Sequence, residues 1–157
     1  MIHTANLRDA TYITANLRRQ DRAETLAQLD VNMVQLGAML CHQPYAYIAY
    51  SDRPVMVFGA SPMSRTTVSA WAIGTDRTRR VIPEVTRFIN GPLAKQLVDD
   101  GYRWAEARSM EGHDAAHRWL RDMGAERVLD LPDFGAGGEK FHLFRRALIP
   151  YAACKAA

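Results

Sequence analysis

Cysteine is scarce in this 157-residue chain: Cys41 and Cys154 stand far apart with no metal-like spacing, which excludes a disulfide framework and leaves two free thiols in a reducing compartment. No apolar run approaches the roughly 20 residues that a spanning helix needs. The opening Met1-Ile2-His3-Thr4 lacks the basic-then-apolar pattern of a signal peptide. Charge of one sign is also sparse, with a net +3 and a sequence pI near 9.1. Most of the surplus comes from Arg77, Arg79, Arg80, Arg145 and Arg146, which permits nucleic acid without indicating it. Internal repeats and low-complexity segments are missing as well. The expectation is a soluble protein, made in a cytoplasm, with no membrane span.

What is present is 48% hydrophobic residues, enough in a chain of this length for one domain with a continuous core. The domain is expected over residues 1–149, followed by an apolar tail at 150–157. Ile2 to Thr4 reads as a short first strand. Ala10, Ile13 and Leu17 recur at helical spacing within Asp9 to Arg18. A second helical run opens at Asp21, with Glu24 at the capping-box offset, and carries Leu26, Leu29, Met33, Leu36 and Leu40, with a break near Asp30 to Asn32. Tyr45 to Tyr50 and Val55 to Ala60 flank Ser51-Asp52-Arg53-Pro54 and make a hairpin, and Thr66 to Ile73 supplies a third strand. A helix over about Val81 to Leu97 contains Gly91-Pro92, where it should kink or divide.

The segment Tyr102 to Val128 carries the most information. Tyr102, Trp104 and Ala107 lie in a run bounded by Gly101 and Ser109-Met110-Glu111-Gly112, as in a strand of about six residues. Ala116, Trp119, Leu120 and Met123 then form one apolar helical face, with His117, Arg118, Arg121 and Asp122 turned elsewhere, and Gly124 supplies a left-handed stop. This strand-helix-strand unit resembles the last one of the GNAT superfamily of N-acetyltransferases, whose pattern is Asn-x-x-Ala-x-x-Leu-Tyr followed by Gly-Phe. Ala116 and Gly124 match, whereas His113, Trp119, Leu120 and Ala125 replace the Asn, Leu, Tyr and Phe. Within the superfamily the chain resembles the GNAT-like internal virion proteins of short-tailed bacteriophages, through Trp71-Ala-Ile-Gly-Thr-Asp76, His117-Arg-Trp-Leu120 with Gly124, and a final Phe141-His-Leu-Phe144 strand.

The resemblance implies an α/β fold of GNAT type: a mixed, mainly antiparallel sheet with helices on both faces. The strands ending near Ile73 and near Arg108 should form its parallel pair, since the Val81 to Leu97 helix is the one long crossover between them. The helices at Val81 to Leu97 and Asp114 to Met123 are expected on its two sides.

Active superfamily members hold the pyrophosphate of acetyl-CoA with backbone N–H groups of a glycine-bearing loop at a helix N-terminus. The matching stretch is Ile73-Gly74-Thr75-Asp76-Arg77-Thr78-Arg79-Arg80, with Gly74 its one glycine. Ile73, Gly74, Thr75, Arg77, Thr78, Arg79, Arg80 and His113 are the candidate cofactor contacts, the arginines acting by charge instead of loop geometry. The competing reading is a solvated basic helix start beside Glu84. The Tyr that often serves as general acid on the thiolate is Leu120 here, with no proton to give. Glu106 is the best carboxylate for a general base, against an ordinary strand residue paired with Arg103 or Arg108. His113 and His117 form an HxxxH pair without a carboxylate in the motif, so no metal is expected. Gly135-Ala-Gly-Gly138 reads as a flexible hairpin loop.

Two functions follow. The first, implied by the phage resemblance and the altered site positions, is a virion-associated structural or accessory protein, a pseudoenzyme with no cofactor. It would be synthesised in the bacterial host cytoplasm and located in the virion. Its partners would be other virion proteins of the portal, internal core or tail, with a homo-oligomer allowed. Tyr151 and residues 152–157 are the expected contacts. The alternative is a working N-acyltransferase that uses acetyl-CoA through a degenerate loop.

Overall fold

The computed structural model describes residues 1–148. A seven-stranded sheet forms in the order β1-β2-β3-β4-β5-β7-β6, built from β1 (Ile2–Thr4), β2 (Tyr45–Tyr50), β3 (Pro54–Pro62), β4 (Thr67–Gly74), β5 (Trp104–Met110), β6 (Glu126–Leu131) and β7 (Phe141–Ala147). Every neighbouring pair is antiparallel except β4 and β5, which run parallel. That parallel pairing covers only Thr67↔Trp104, Val68↔Ala105 and Ser69↔Glu106. Beyond Ser69 and Glu106 the two strands separate, and the sheet splits into a V that widens towards Gly74 and Met110.

Strand periodicity assigns the two faces. On β3, Val57 packs with Ile48 against Ala10 and Ile13 of α1 (Leu7–Ala15), beside Trp71 and Ile73. Its neighbours Met56 and Phe58 point the other way, into a cluster with Val81 and Val85. This second face carries α4 (Ile82–Phe88) and α5 (Ala94–Asp99), joined by a π-helical turn at Ile89–Leu93 that accommodates Pro92. The expected division at Gly91-Pro92 therefore takes the form of one wide turn, because Pro92 has no N–H to continue the ladder.

One placement differs from expectation. The helix α6 (Asp114–Asp122) lies on the same face as α4, not the opposite one. Trp119 Nε1 donates to Thr86 Oγ1 at 2.8 Å, and His117 packs edge-on against His142 and beside Phe144. His117 is accordingly buried, where the apolar stripe alone had turned it outwards. Helices still cover both sides of the sheet, since α1 and α3 (Met33–Cys41) occupy the other face. Gly124 has φ +86, the left-handed stop that the sequence called for.

The capping box also moves. Asn32 and Gln35 form it at the start of α3, each side chain bonding the other's backbone N–H. Asp21 and Glu24 lie instead inside α2 (Arg19–Gln28), which inverts the usual pattern: its buried residues are Asp21, Thr25 and Ala27, while Leu26 is 44% exposed. Such a helix gains little from apolar burial and has to be held by polar contacts.

Candidate functional site at the split in the sheet

The position of α2 follows from those contacts. Asp21, 3% exposed, sits between the two limbs of the V. Its Oδ2 accepts from the Gly74 N–H at 2.8 Å on the β4 side, and its Oδ1 accepts from His113 Nε2 at 2.8 Å on the β5 side. Arg18 N–H donates to the Gly74 carbonyl at 3.0 Å. Arg18 Nε lies 2.8 Å from Asp21 Oδ2, a close ion pair in which the N–H has no well-aligned acceptor. One turn on, Glu24 Oε2 is 3.7 Å from His113 Nε2. At its far end α2 is fastened to the β6–β7 loop, where Ala136 N–H donates to Ala27 O at 2.8 Å. The Gly135 to Gly138 segment, expected as a flexible hairpin loop, is thus docked on α2, with Glu139 accepting from the Gly137 N–H.

The electrostatics match this geometry. Burial pushes the Asp21 carboxyl up, but the bonds from His113 and the Gly74 N–H, together with the Arg18 charge beside it, outweigh it, and the net direction is below the usual carboxylate range. Because ionised Asp21 has no proton to give, His113 Nε2 carries the hydrogen between them. Burial raises Glu24 to about 7, with the Asp21 charge adding to the rise, against lowering by His113, the Met110 N–H and Ser109. Burial lowers His117, and His142 lowers it further. Among the described residues no group of three or more His, Cys, Asp or Glu is arranged to hold a metal ion.

Most main-chain donors of the expected cofactor loop are bonded within the protein. The N–H groups of Thr75, Arg77, Thr78, Arg80 and Val81 are bonded to Val55 O, Thr75 Oγ1, Thr75 O, Arg77 O and Thr78 O. Five potential phosphate donors are therefore satisfied within the protein. Thr78 is buried with its hydroxyl on the Thr75 carbonyl, and a Cβ on Gly74 would lie 2.3 Å from that hydroxyl oxygen. Arg77 turns away to grip Asp52 through both carboxylate oxygens, at 2.8 and 2.9 Å. Arg79 and Arg80 are exposed in a short 3-10 turn at Thr78–Arg80. Glu84, read as their neighbour in charge, pairs with the chain's N-terminal ammonium at 2.7 Å. Ile73 faces α1 with Trp71.

Glu106 lines the cleft next to Ser69. Its cation is neither Arg103 nor Arg108: Arg145 Nε stands 3.7 Å away across the β5–β7 pair, with its guanidinium 3.8 Å above the Trp104 ring. Antiparallel register on β7 places Arg145 opposite Glu106, and a single strand's sequence does not contain that register. Between the limbs lies a cavity of about 480 Å3, its walls mostly apolar and its rim formed by α2, α3, α6 and the π-helical turn. Arg18, Asp21 and Glu24 escaped the sequence reading as a site. Their i, i+3, i+6 spacing, which puts three charges on one helix face, was the available signal.

Compared with known families and with curated proteins, the sequence matches none. Solved structures do resemble it over nearly its whole length. Ard1 from Thermoplasma volcanium shares 14% identity with a TM-score of 0.74, covering 95% of this chain and 97% of its own. An aminoglycoside 6'-acetyltransferase type Ii shares 18% with a TM-score of 0.72, covering 96% and 98%. The putative acetyltransferase yncA from Salmonella typhimurium, solved with acetyl-CoA, shares 12% with a TM-score of 0.71, covering 96% and 95%. Identities this low speak for architecture alone. The split sheet, its single parallel pair and these neighbours together give the chain the GNAT acetyltransferase fold.

Proposed function

We propose that this chain is a non-catalytic GNAT-fold protein that acts through protein contacts, as a virion-associated accessory component of a short-tailed bacteriophage. The observation that carries the loss of catalysis is the Asp21 carboxylate bonded to both Gly74 and His113 across the widening split. A pyrophosphate at the end of β4 would approach Asp21 and Glu24 and find five of the loop's N–H groups, those of Thr75, Arg77, Thr78, Arg80 and Val81, already engaged. The phage assignment rests on the resemblance carried by Trp71 to Asp76, by His117 to Leu120 with Gly124, and by Phe141 to Phe144. On this reading the partners are other virion proteins, and the site of action is the particle. The proposed contacts at Tyr151 and residues 152–157 lie outside the described residues.

A melting series with acetyl-CoA tests the first part, because a ligand that binds only the folded state raises apparent stability. No shift is expected up to about a hundredfold excess over a micromolar dissociation constant, where a true ligand would add about 2.7 kcal/mol. Saturable micromolar binding would overturn it. Detection of the chain in purified particles by mass spectrometry tests the second part, and its absence from them would remove the virion assignment.

A second reading, an acetyl-CoA-dependent N-acetyltransferase, is favoured by the roughly 480 Å3 cavity between β4 and β5. It requires α2 to leave Gly74 and His113. The same titration decides between the two.

A further inference from the structure

We propose that α2 is a pH-operated clasp: ionisation of Glu24, buried beside Asp21 and His113 where the helix bridges the limbs of the V, releases α2 and opens the cavity behind it. The placement of charge is the ground for this. Asp21 and Glu24 stand one turn apart on α2, with side chains 3% and 15% exposed, and both face one imidazole. Asp21 takes it, with His113 Nε2 at 2.8 Å, and takes the Arg18 guanidinium as well. Glu24 is left 3.7 Å from the same Nε2, and among the described residues no Arg or Lys stands within ion-pair distance of it. Its other close neighbours are Ser109 and the Met110 N–H of β5, while Arg108 and Glu106 share the cavity wall.

A carboxyl so placed is accepted as an acid and resisted as an anion. Burial and the Asp21 charge raise Glu24 to about 7 in the clasped state. His113 acts on it as a cation would, lowering it, and is outweighed by burial, so the sign of the effect does not hang on the charge that the ring carries. Lifted into water, the side chain returns to 4.5, so opening releases a proton between these values. The clasp is therefore tightest at acid pH, loosens as pH rises from 4.5 to about 7, and changes no further above that. Asp21, held below its ordinary range, is ionised in both states above pH 5 and leaves the trend unaltered. Release also sacrifices little apolar contact, since Leu26 already faces outwards and β4 and β5 are unpaired beyond Ser69 and Glu106. Asp21, Glu24 and Thr25 of α2 line the cavity of about 480 Å3, which their departure would uncover.

Hydrogen exchange of the full chain at pH 5.5 and 7.5, corrected for the intrinsic rate, tests the clasp. The α2 amides should exchange faster than those of β3 at both pH values, which marks a local opening. Their opening constant should rise about 20-fold across the interval, as a group at 4.5 when open and about 7 when clasped requires. The Gly74 amide, held by Asp21, should rise with them. Glu24→Gln should flatten both profiles. In case that variant fails to fold, the Glu24 carboxyl 13C resonance of the wild-type protein should titrate near 7. A flat wild-type profile, a rise that survives in Glu24→Gln, α2 amides no faster than those of β3, or a resonance titrating near 4.5 would overturn the inference. So would a Gly74 amide that keeps its protection while α2 exchanges, since the split would then stay closed. These readings need no ligand and stand apart from the acetyl-CoA titration.

Discussion

The Asp21 carboxylate accepts the Gly74 N–H at 2.8 Å, so a side chain of α2 occupies the last main-chain donor of β4, at the end where the sheet is open. Its other oxygen binds His113 across the gap. Removing Asp21 therefore strands a donor, a cation and an imidazole at once. Asp21→Ala is expected to cost about 3–5 kcal/mol, the range for breaking a buried ion pair from one side. Hydrogen exchange of residues 19–28 should rise more than that of α1. A loss under 1 kcal/mol in urea unfolding would show that α2 is held by something else.

Glu24 gives a pH signature of opposite sign to the usual carboxylate. Its pKa stands near 7 in the fold against 4.5 for the free side chain, so between those values the folded state keeps a proton that the unfolded chain has released. Its contribution to stability falls as pH rises through that window, by about 3 kcal/mol in all. Glu24→Gln should consequently gain stability over the wild type at pH 8 and lose that advantage by pH 4.5. Chemical denaturation at the two pH values reads the difference directly, and a gap independent of pH would contradict it.

Two glycines should respond in opposite directions. A Cβ on Gly59 would lie 1.8 Å from the Tyr45 carbonyl oxygen on the neighbouring strand, so Gly59→Ala must part β2 from β3 and should cost at least about 2–3 kcal/mol. Gly91 faces open space in the π-helical turn, and Gly91→Ala should be neutral or gain up to about 1 kcal/mol. Melting temperatures of the two variants check both signs.

Trp119 is anchored to α4 by its indole N–H on Thr86 Oγ1. Thr86→Val keeps the shape and removes the acceptor, and should cost about 1–2 kcal/mol with a shift in Trp emission. Unchanged stability would mean that the indole finds another acceptor without loss.

Much of the fold was legible because it rests on local signals. The hairpin at Ser51 to Pro54, the parallel partners ending near Ile73 and Arg108, and the left-handed Gly124 each follow from short-range chemistry and from the crossover that a parallel pair demands. The side taken by α6 was not legible, since a stripe of Ala116, Trp119 and Leu120 says that a helix packs but not on which face. The site was the least readable part. Asp21 and Glu24 have the spacing of a capping box, and only the fold brings His113, 92 positions along the chain, onto Asp21. Glu106 likewise found its cation through strand register, in Arg145.

The parallel seam between β4 and β5 is three residue pairs long, and among the described residues it is the sole strand pairing between β1–β4 and β5–β7–β6. The protein is thus two half-sheets on a short hinge, clasped at the open end by α2. Partial opening along that line would separate the halves while leaving each internal ladder whole, so it should be the least costly large excursion of the native state. Limited proteolysis should then find its first cleavage sites in the segment that tethers the clasp, Asn16 to Arg19, and in the run from Asp100 to Arg103 that leads across the seam into β5, and the two halves should stay associated after the cut.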